Sequence, residues 1–187
     1  MKWLFNIFNR RRDNDNDNDD DEKETRREGG VLIPHPPVLD EIHDTYTPAQ
    51  ARQKLRKLSS HYLRKTLFDR KYVAVKHNDI SKIARWWHDT EQNLIREGYG
   101  YLAEVSDCDD RAVWGMALNR MIYRDHEATL LSAKLGVTME YSALGIAQGV
   151  QHMTNAIYTN RGWYVVEFPT GQHCTLSKYP NPIWGVY

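Results

Sequence analysis

The chain has 187 residues, and its 25 basic and 25 acidic side chains give a formal net charge of zero. This length is enough for one domain with a full hydrophobic core, and the balanced charge provides no basic field for nucleic acid. Two cysteines, Cys108 and Cys174, are too few for a disulfide framework. A reducing, cytoplasmic location is therefore predicted, and no run is long and apolar enough to span a bilayer.

The first 30 residues are predicted to form a disordered, charged tail. Residues 13–21 (DNDNDNDDD) consist only of Asp and Asn, which cannot bury apolar surface. The tip, from Trp3 to Phe8, is apolar. Two interpretations stay open for it: a disordered terminus with a sticky end, or a peptide that docks on a protein partner or a membrane surface. Residues 31–187 are predicted to form one domain.

The domain is predicted to begin with helices. Thr47 and Pro48 are the residue types expected at an N-cap and at the first helical position, and apolar residues follow them at helical spacing. Residues 72–75 (YVAV) are β-prone. A second helix is predicted over residues 80–97, and Gly98 is expected to end it.

The second half of the chain is predicted to change from helix to strand. A third helix is expected over residues 108–124 and a short helical stretch over residues 127–134. Residues 153–158 and 162–168 have the pattern of two strands, and the intervening Asn, Arg and Gly are typical of a hairpin turn. The aromatic tail, residues 175–187, is expected to lie across this sheet. Helices followed by an antiparallel sheet predict an α+β domain.

Three residues in this arrangement could carry chemistry. Cys108 is expected at the start of a helix, where unpaired N–H groups favour a thiolate over a thiol. His152 begins the first predicted strand and Glu167 lies near the end of the second, so antiparallel pairing would place them side by side. A carboxylate beside a histidine fixes its tautomer. The pattern suggests a nucleophile, a general base and an orienting acid, although each residue type also occurs in purely structural positions.

Two motifs carry a resemblance to known families. Residues 108–112 (CDDRA) resemble the Cys-[Asp/Glu]-Asp-x-Ala signature of bacterial transglutaminase-like cysteine peptidases. Residues 151–156 (QHMTNA) and 163–171 (WYVVEFPTG) resemble the Gly-His-Ala-x-Asn and Glu-Pro-Gln-[Thr/Asn]-Gly patterns of the papain-like protease domain of fungal agglutinins, which has phage-encoded relatives. The likeness covers residues 101–171.

The resemblance implies a papain/transglutaminase-like fold with Cys108 as the nucleophile, His152 as the base and Glu167 as the orienting acid. The expected function is a thiol-dependent hydrolase or acyl transferase that acts on peptide or isopeptide bonds of a peptide or protein substrate. No cofactor is required for this chemistry. If the chain is phage-encoded, the host cytoplasm or the virion is the expected location.

The agglutinin-like proteases depend on calcium, so the resemblance also implies a candidate calcium site. Asp109, Asp110, Asn155 and Glu167 offer the oxygen ligands that such a cation takes. Acidic residues in the first turn of a helix are also ordinary partners of the helix dipole, and this interpretation stays open.

Two further functions remain open at this point. The first is a catalytically inactive interaction or assembly protein of the papain-like fold, of phage or mobile-element type, which would suit the charged tail. The second is a cell-wall amidase, because such enzymes also place a cysteine at a helix start and a histidine on a sheet.

Overall fold

The computed structural model describes residues 33–40, 44–58, 69–99, 107–124, 127–139, 150–178 and 182–186. The chain divides into two units, Met1–Gly30 and Val31–Tyr187, and all described residues belong to the second. The predictions for the charged tail and for its apolar tip therefore lie outside the described residues. Within the described ranges, the helices are too short or too polar to cross a membrane.

The described residues form an α+β domain, as predicted, with three α-helices and two sheets. The helices are α1 (Pro48–Leu58), α2 (Ile80–Arg96) and α3 (Cys108–Asn119). The strands are β1 (Asp44–Tyr46), β2 (Tyr72–Ala74), β3 (Thr129–Leu130), β4 (Ser132–Met139), β5 (Val150–Thr159), β6 (Gly162–Val166), β7 (His173–Thr175) and β8 (Pro182–Val186).

The predicted start of the first helix and the predicted start and stop of the second are confirmed. Thr47 and Gln50 cap α1 reciprocally, because the Gln50 side chain accepts the Thr47 N–H at 2.9 Å and the Thr47 hydroxyl accepts the Gln50 N–H at 3.4 Å. Gly98, at φ +86°, ends α2. The N–H of Tyr99 then donates a hydrogen bond to the carbonyl of Leu94 at 2.8 Å.

The larger sheet is antiparallel throughout, with strand order β7-β6-β5-β4-β8. The smaller sheet has the order β1-β2-β3, in which β1 pairs antiparallel and β3 pairs parallel with β2. Val75 joins the two sheets: its N–H donates to the carbonyl of Tyr158, and its own carbonyl accepts the N–H of Asn160. The predicted hairpin is confirmed, with Thr159 opposite Gly162.

Neighbouring residues of the larger sheet pack into two different apolar clusters. Ala156 and Val165 belong to the cluster that α1 covers, whereas Ile157 and Val166 belong to the cluster that α2 and α3 cover. Because side chains alternate along a strand, the helices lie on opposite faces of the sheet. The central strand, β5, is therefore buried on both faces at this level.

Three sequence-based boundaries need correction. Residues 127–134 were expected to be helical, but they contain β3 and the start of β4, because pairing with β2 and β5 supplies their backbone hydrogen bonds. The third helix ends at Asn119 rather than near residue 124. In the tail, residues 182–186 do not cross the sheet; they join it as the edge strand β8, beside β4.

Candidate functional site

Cys108 is the first residue of α3, as predicted, and Asp107 is the N-cap. The Asp107 carboxylate accepts the N–H of Asp109 at 3.3 Å, and its backbone carbonyl accepts the N–H of Arg111 at 3.0 Å. The sequence Asp-Cys-Asp-Asp thus supplies both a cap and acidic residues that interact favourably with the helix dipole.

A buried ion pair attaches α3 to α2. Nη2 of Arg111 lies 3.0 Å from Oε1 of Glu91 and donates to the carbonyl of Tyr99 at 2.9 Å. Only 2% of the Arg111 side chain and 3% of the Glu91 side chain are exposed. Burial raises the pKa of Glu91, and the charge of Arg111 opposes that rise. Arg111 lies one turn after Cys108, so this pair fixes the rotation of the helix start.

The same helix contacts the central strand of the larger sheet. Nδ2 of Asn155 donates to the carbonyl of Ala112 at 2.9 Å. A Cβ atom at Gly115 would lie 2.4 Å from Oδ1 of Asn155, so a glycine is needed at this contact. The close approach brings the start of α3 to β5, where the backbone N–H of Met153 faces the thiol of Cys108.

His152, the residue before Met153, contacts Glu167. Nε2 of His152 lies 3.0 Å from each carboxylate oxygen of Glu167. The β5–β6 register ends with Asn155 opposite Val166, so Glu167 lies diagonally across from His152 on the same face. Their side chains are 13% and 7% exposed, respectively, so the pair is largely shielded from solvent.

A turn packed on α2 positions Glu167. The carbonyl of Glu167 accepts the N–H of Gly171 at 2.9 Å, and the carbonyl of Pro169 lies 3.0 Å from Nδ1 of His88. Gly171 has φ +64°, and a Cβ atom there would lie 2.5 Å from the carbonyl oxygen of Ala84. The turn can approach α2 this closely because residue 171 has no side chain.

The environment of Cys108 differs from the expected one. Burial raises the pKa of the Cys108 thiol above its ordinary value, and the carboxylates of Asp107 and Asp109 raise it further. The N–H groups of Met153 and of Cys108 itself act in the opposite direction, but the net shift is upward. The shift therefore favours the neutral thiol, whereas the sequence predicted a thiolate stabilised by the helix N-terminus.

The predicted calcium ligands do not form a single group among the described residues. Asn155 lies beneath α3 and bonds to its backbone, while both oxygens of Glu167 face His152. The acidic groups that lie close together are instead Asp107 and Asp109, whose oxygens are within 4.8 Å of each other and of the Cys108 sulfur. Asp110 is exposed in the first turn of α3.

Sequence reasoning did not find the residues that hold this site together. Arg111 and Glu91 lie 20 residues apart in sequence and on different helices, and no local pattern signals such a contact. Gly171 did offer a signal, since a glycine after Pro169 and Thr170 is typical of a turn that needs positive φ.

No protein-family model and no curated protein matches the chain. Solved structures do match in fold, among them the following two. Polyporus squamosus lectin, bound to the human-type influenza-binding epitope Neu5Acα2-6Galβ1-4GlcNAc, matches 76% of this chain at 15% identity with a TM-score of 0.54. PSL1a in complex with E64 also matches 76% of this chain, at 16% identity with a TM-score of 0.52.

The chain shares its fold with part of a lectin. It spans about half the length of the two solved chains, 49% of one and 50% of the other. At these identities the likeness shows the fold alone.

These comparisons correct the family and the function expected from the motifs. The motifs predict a papain-like or transglutaminase-like cysteine peptidase, but the two solved structures above are those of a lectin, and no peptidase family matches. The expected hydrolase or acyl transferase function and its peptide substrate are wrong on the same grounds. Short motifs misled because five or six matching residues do not specify a family.

Proposed function

We propose that residues 31–187 form a saccharide-binding domain, and that the saccharide binds at Cys108 and His152, whose ring Glu167 holds in place. These three residues are called the strand-edge site below. The observation that carries the proposal is the likeness of 76% of this chain to a lectin solved with a bound trisaccharide. Since the chain spans 49% of that lectin, saccharide binding by this domain needs a direct test.

The chemistry of the strand-edge site suits a hydroxyl-rich ligand. A neutral His152 ring that donates Nε2–H to Glu167 presents Nδ1 as an acceptor for a hydroxyl hydrogen. Binding sites for small molecules fix their ligands with a few well-positioned polar groups of this kind. Because Glu167 and its turn restrain the ring, little side-chain entropy would be lost when a saccharide binds.

Cys108 has a packing role in this proposal. A neutral thiol is a small, weakly polar group that can contact the apolar face of a sugar ring. The raised pKa of its thiol suits this role, since a buried thiolate would need compensating charge.

Isothermal titration calorimetry with the full chain tests the proposal, using the lectin epitope and its disaccharide Galβ1-4GlcNAc as ligands. We expect His152→Ala and Glu167→Gln to weaken binding by about tenfold or more, because each removes a hydrogen-bonding group from the site. His35→Ala and Glu127→Gln are matched controls, since both residues are exposed and neither belongs to the strand-edge site. Equal affinity of wild type and His152→Ala, or no binding of either saccharide, would overturn the proposal.

E64 is a second candidate ligand, because PSL1a was solved in complex with it. Titration of the full chain with E64, in wild type and in His152→Ala, uses the same instrument and the same controls. Binding of E64 at the strand-edge site without binding of saccharide would make this a small-molecule site and would contradict the saccharide proposal.

Some predictions from the sequence remain proposals. We propose that Asp107 and Asp109, the acidic residues beside Cys108, bind a calcium ion. Thermal unfolding of the protein with added Ca²⁺ and with EGTA tests this proposal. A higher unfolding midpoint with Ca²⁺ would support calcium binding, and an unchanged midpoint would contradict it. A closer likeness of the fold to papain or transglutaminase, and a cytoplasmic location, also stay proposals.

A further inference from the structure

Residues 33–40 (IPHPPVLD) contain three prolines and belong to neither sheet. These residues are called the proline segment below. Each proline fixes its own φ near the value of a polyproline II helix and restrains the preceding residue to extended conformations. The sequence therefore favours polyproline II, which has three residues per turn and no internal hydrogen bonds.

The burial of the proline segment follows this period of three. Ile33 and Leu39, six positions apart, pack on the apolar cluster that α2 and α3 cover. His35 and Val38, three positions apart, are exposed, and 90% of Val38 is accessible to solvent. One edge of the segment thus faces the domain, while another edge faces solvent.

Two hydrogen bonds attach the proline segment near its ends. Nε1 of Trp86 donates to the carbonyl of Pro34 at 3.0 Å, and the N–H of Asp40 donates to Oδ2 of Asp79 at 2.9 Å. Trp86 is 4% exposed and Asp79 is fully buried. Lys82 adds a bridge between the two acids, since its Nζ lies 2.7 Å from Oδ1 of Asp79 and 3.4 Å from Oδ1 of Asp40.

These contacts are of the kind by which proteins recognise proline-rich peptides. Such peptides dock on surfaces lined by aromatic side chains, and their backbone carbonyls are free to accept hydrogen bonds. Here Trp86 supplies the aromatic donor, Ile33 and Leu39 supply the apolar anchors, and Asp79 binds the last N–H.

We infer that Trp86, Asp79 and the apolar cluster beside them form a binding site for a proline-rich peptide, and that the chain's own proline segment is its ligand. The segment can leave this site while the rest of the domain stays folded. None of residues 33–40 is buried and none pairs with a strand, so their release exposes little apolar surface and breaks few hydrogen bonds. This inference does not depend on saccharide binding.

Native-state hydrogen exchange of the full chain measures the release. The N–H of Asp40 donates to Asp79, whereas the N–H of the buried Val75 donates to the carbonyl of Tyr158. After correction for intrinsic rates, we expect Asp40 to exchange about 100-fold or more faster than Val75, because the proline segment opens without global unfolding. Equal protection of the two amides would overturn the inference, since the segment would then open only with the whole domain.

A labelled synthetic peptide of residues 33–40 tests whether the site accepts its ligand from solution. In the full chain, Ile33→Ser with Leu39→Ser removes the apolar anchors of the tethered segment and leaves Trp86 and Asp79 unchanged. By fluorescence anisotropy, we expect the peptide to bind this double variant about tenfold or more tightly than wild type, because the tethered segment competes at a high effective concentration. A peptide with alanine at the three proline positions is the matched control. It should bind about tenfold more weakly than the proline peptide, because its backbone is not held extended.

Trp86→Phe, added to the double variant, removes the indole donor and keeps an aromatic ring. It should weaken binding of the proline peptide about fivefold or more. Equal affinity for the proline and alanine peptides, or affinity that Trp86→Phe leaves unchanged, would overturn the inference. A double variant that circular dichroism shows to be unfolded would also overturn it, because the proline segment would then be an integral part of the fold.

Discussion

Gly115 on α3 and Asn155 on β5 approach so closely that a Cβ atom at position 115 would lie 2.4 Å from the Asn155 side-chain oxygen. This contact determines how near the helix lies to the strand. Since Cys108 begins that helix and His152 lies on that strand, the same contact determines the spacing of the strand-edge site.

Gly115→Ala tests the contact. Alanine favours a helix over glycine by about 1 kcal/mol, so a stabilising change would be expected if there were room. We expect instead a loss of about 1–3 kcal/mol in the free energy of unfolding, because the new methyl group must displace Asn155. Urea denaturation measures this loss. Val113→Ala, an exposed change on the same helix, should stay within about 0.5 kcal/mol. A Gly115→Ala protein as stable as wild type would contradict the close approach.

Arg111→Met should destabilise the domain by about 3–5 kcal/mol, because it leaves the buried carboxylate of Glu91 without its partner. Adding Glu91→Gln should recover part of the loss, since the unpaired charge is then removed. Urea denaturation of the single and double variants measures both effects. Arg85→Met is the matched control, because Arg85 is exposed on the same helix as Glu91. A double variant no more stable than Arg111→Met would show that the charge itself is not what costs stability.

Gly171→Ala and Gly98→Ala form a matched pair for the turn that holds Glu167. Both glycines have positive φ, at +64° and +86°, so both substitutions carry a strain of about 1 kcal/mol. Only at Gly171 would the new Cβ meet a neighbour, the carbonyl oxygen of Ala84 at 2.5 Å. We expect Gly171→Ala to lower the thermal midpoint more than Gly98→Ala, and to weaken ligand binding as well. Equal midpoints would mean that the turn does not rest on α2.

Ionisation of Tyr123 should lower the stability of the domain at alkaline pH. Burial raises its pKa to about 12, and the charges of Asp79 and Asp40 add to the rise. A folded pKa above the unfolded value means that this stabilisation is complete below about pH 10 and is lost as pH rises towards about 12. Tyr123→Phe should flatten that fall in urea-denaturation midpoints. The exposed Tyr99→Phe should not. An unchanged fall in Tyr123→Phe would assign the alkaline transition to other groups.

The fold was predictable wherever local chemistry decides the structure. Thr47 and Gln50 cap a helix through contacts between neighbours in sequence, and the turn before Gly162 closes a hairpin in the same way. Residues 127–134 were mispredicted because their strand conformation comes from pairing with β2 and β5, which a local pattern does not reveal.

The site was predictable only as far as strand pairing allows. Antiparallel pairing correctly predicts that His152 and Glu167 are neighbours. Strand pairing does not predict the burial around Cys108. That burial raises the pKa of the thiol, whereas the helix start alone would lower it. The N–H groups at the helix start favour the thiolate, but burial and the carboxylates of Asp107 and Asp109 outweigh them. That the three residues form one functional site stays a prediction.

The most direct test of whether the ligand lies at the strand-edge site is the rate at which iodoacetamide alkylates Cys108. This rate is measured as a function of pH, with and without Galβ1-4GlcNAc. Peptide mapping separates Cys108 from Cys174. We predict slow alkylation at pH 7 that accelerates only above the ordinary thiol pKa, and about tenfold protection when the saccharide is at ten times its Kd. Fast alkylation at neutral pH that the saccharide leaves unchanged would contradict both the neutral thiol and the position of the ligand.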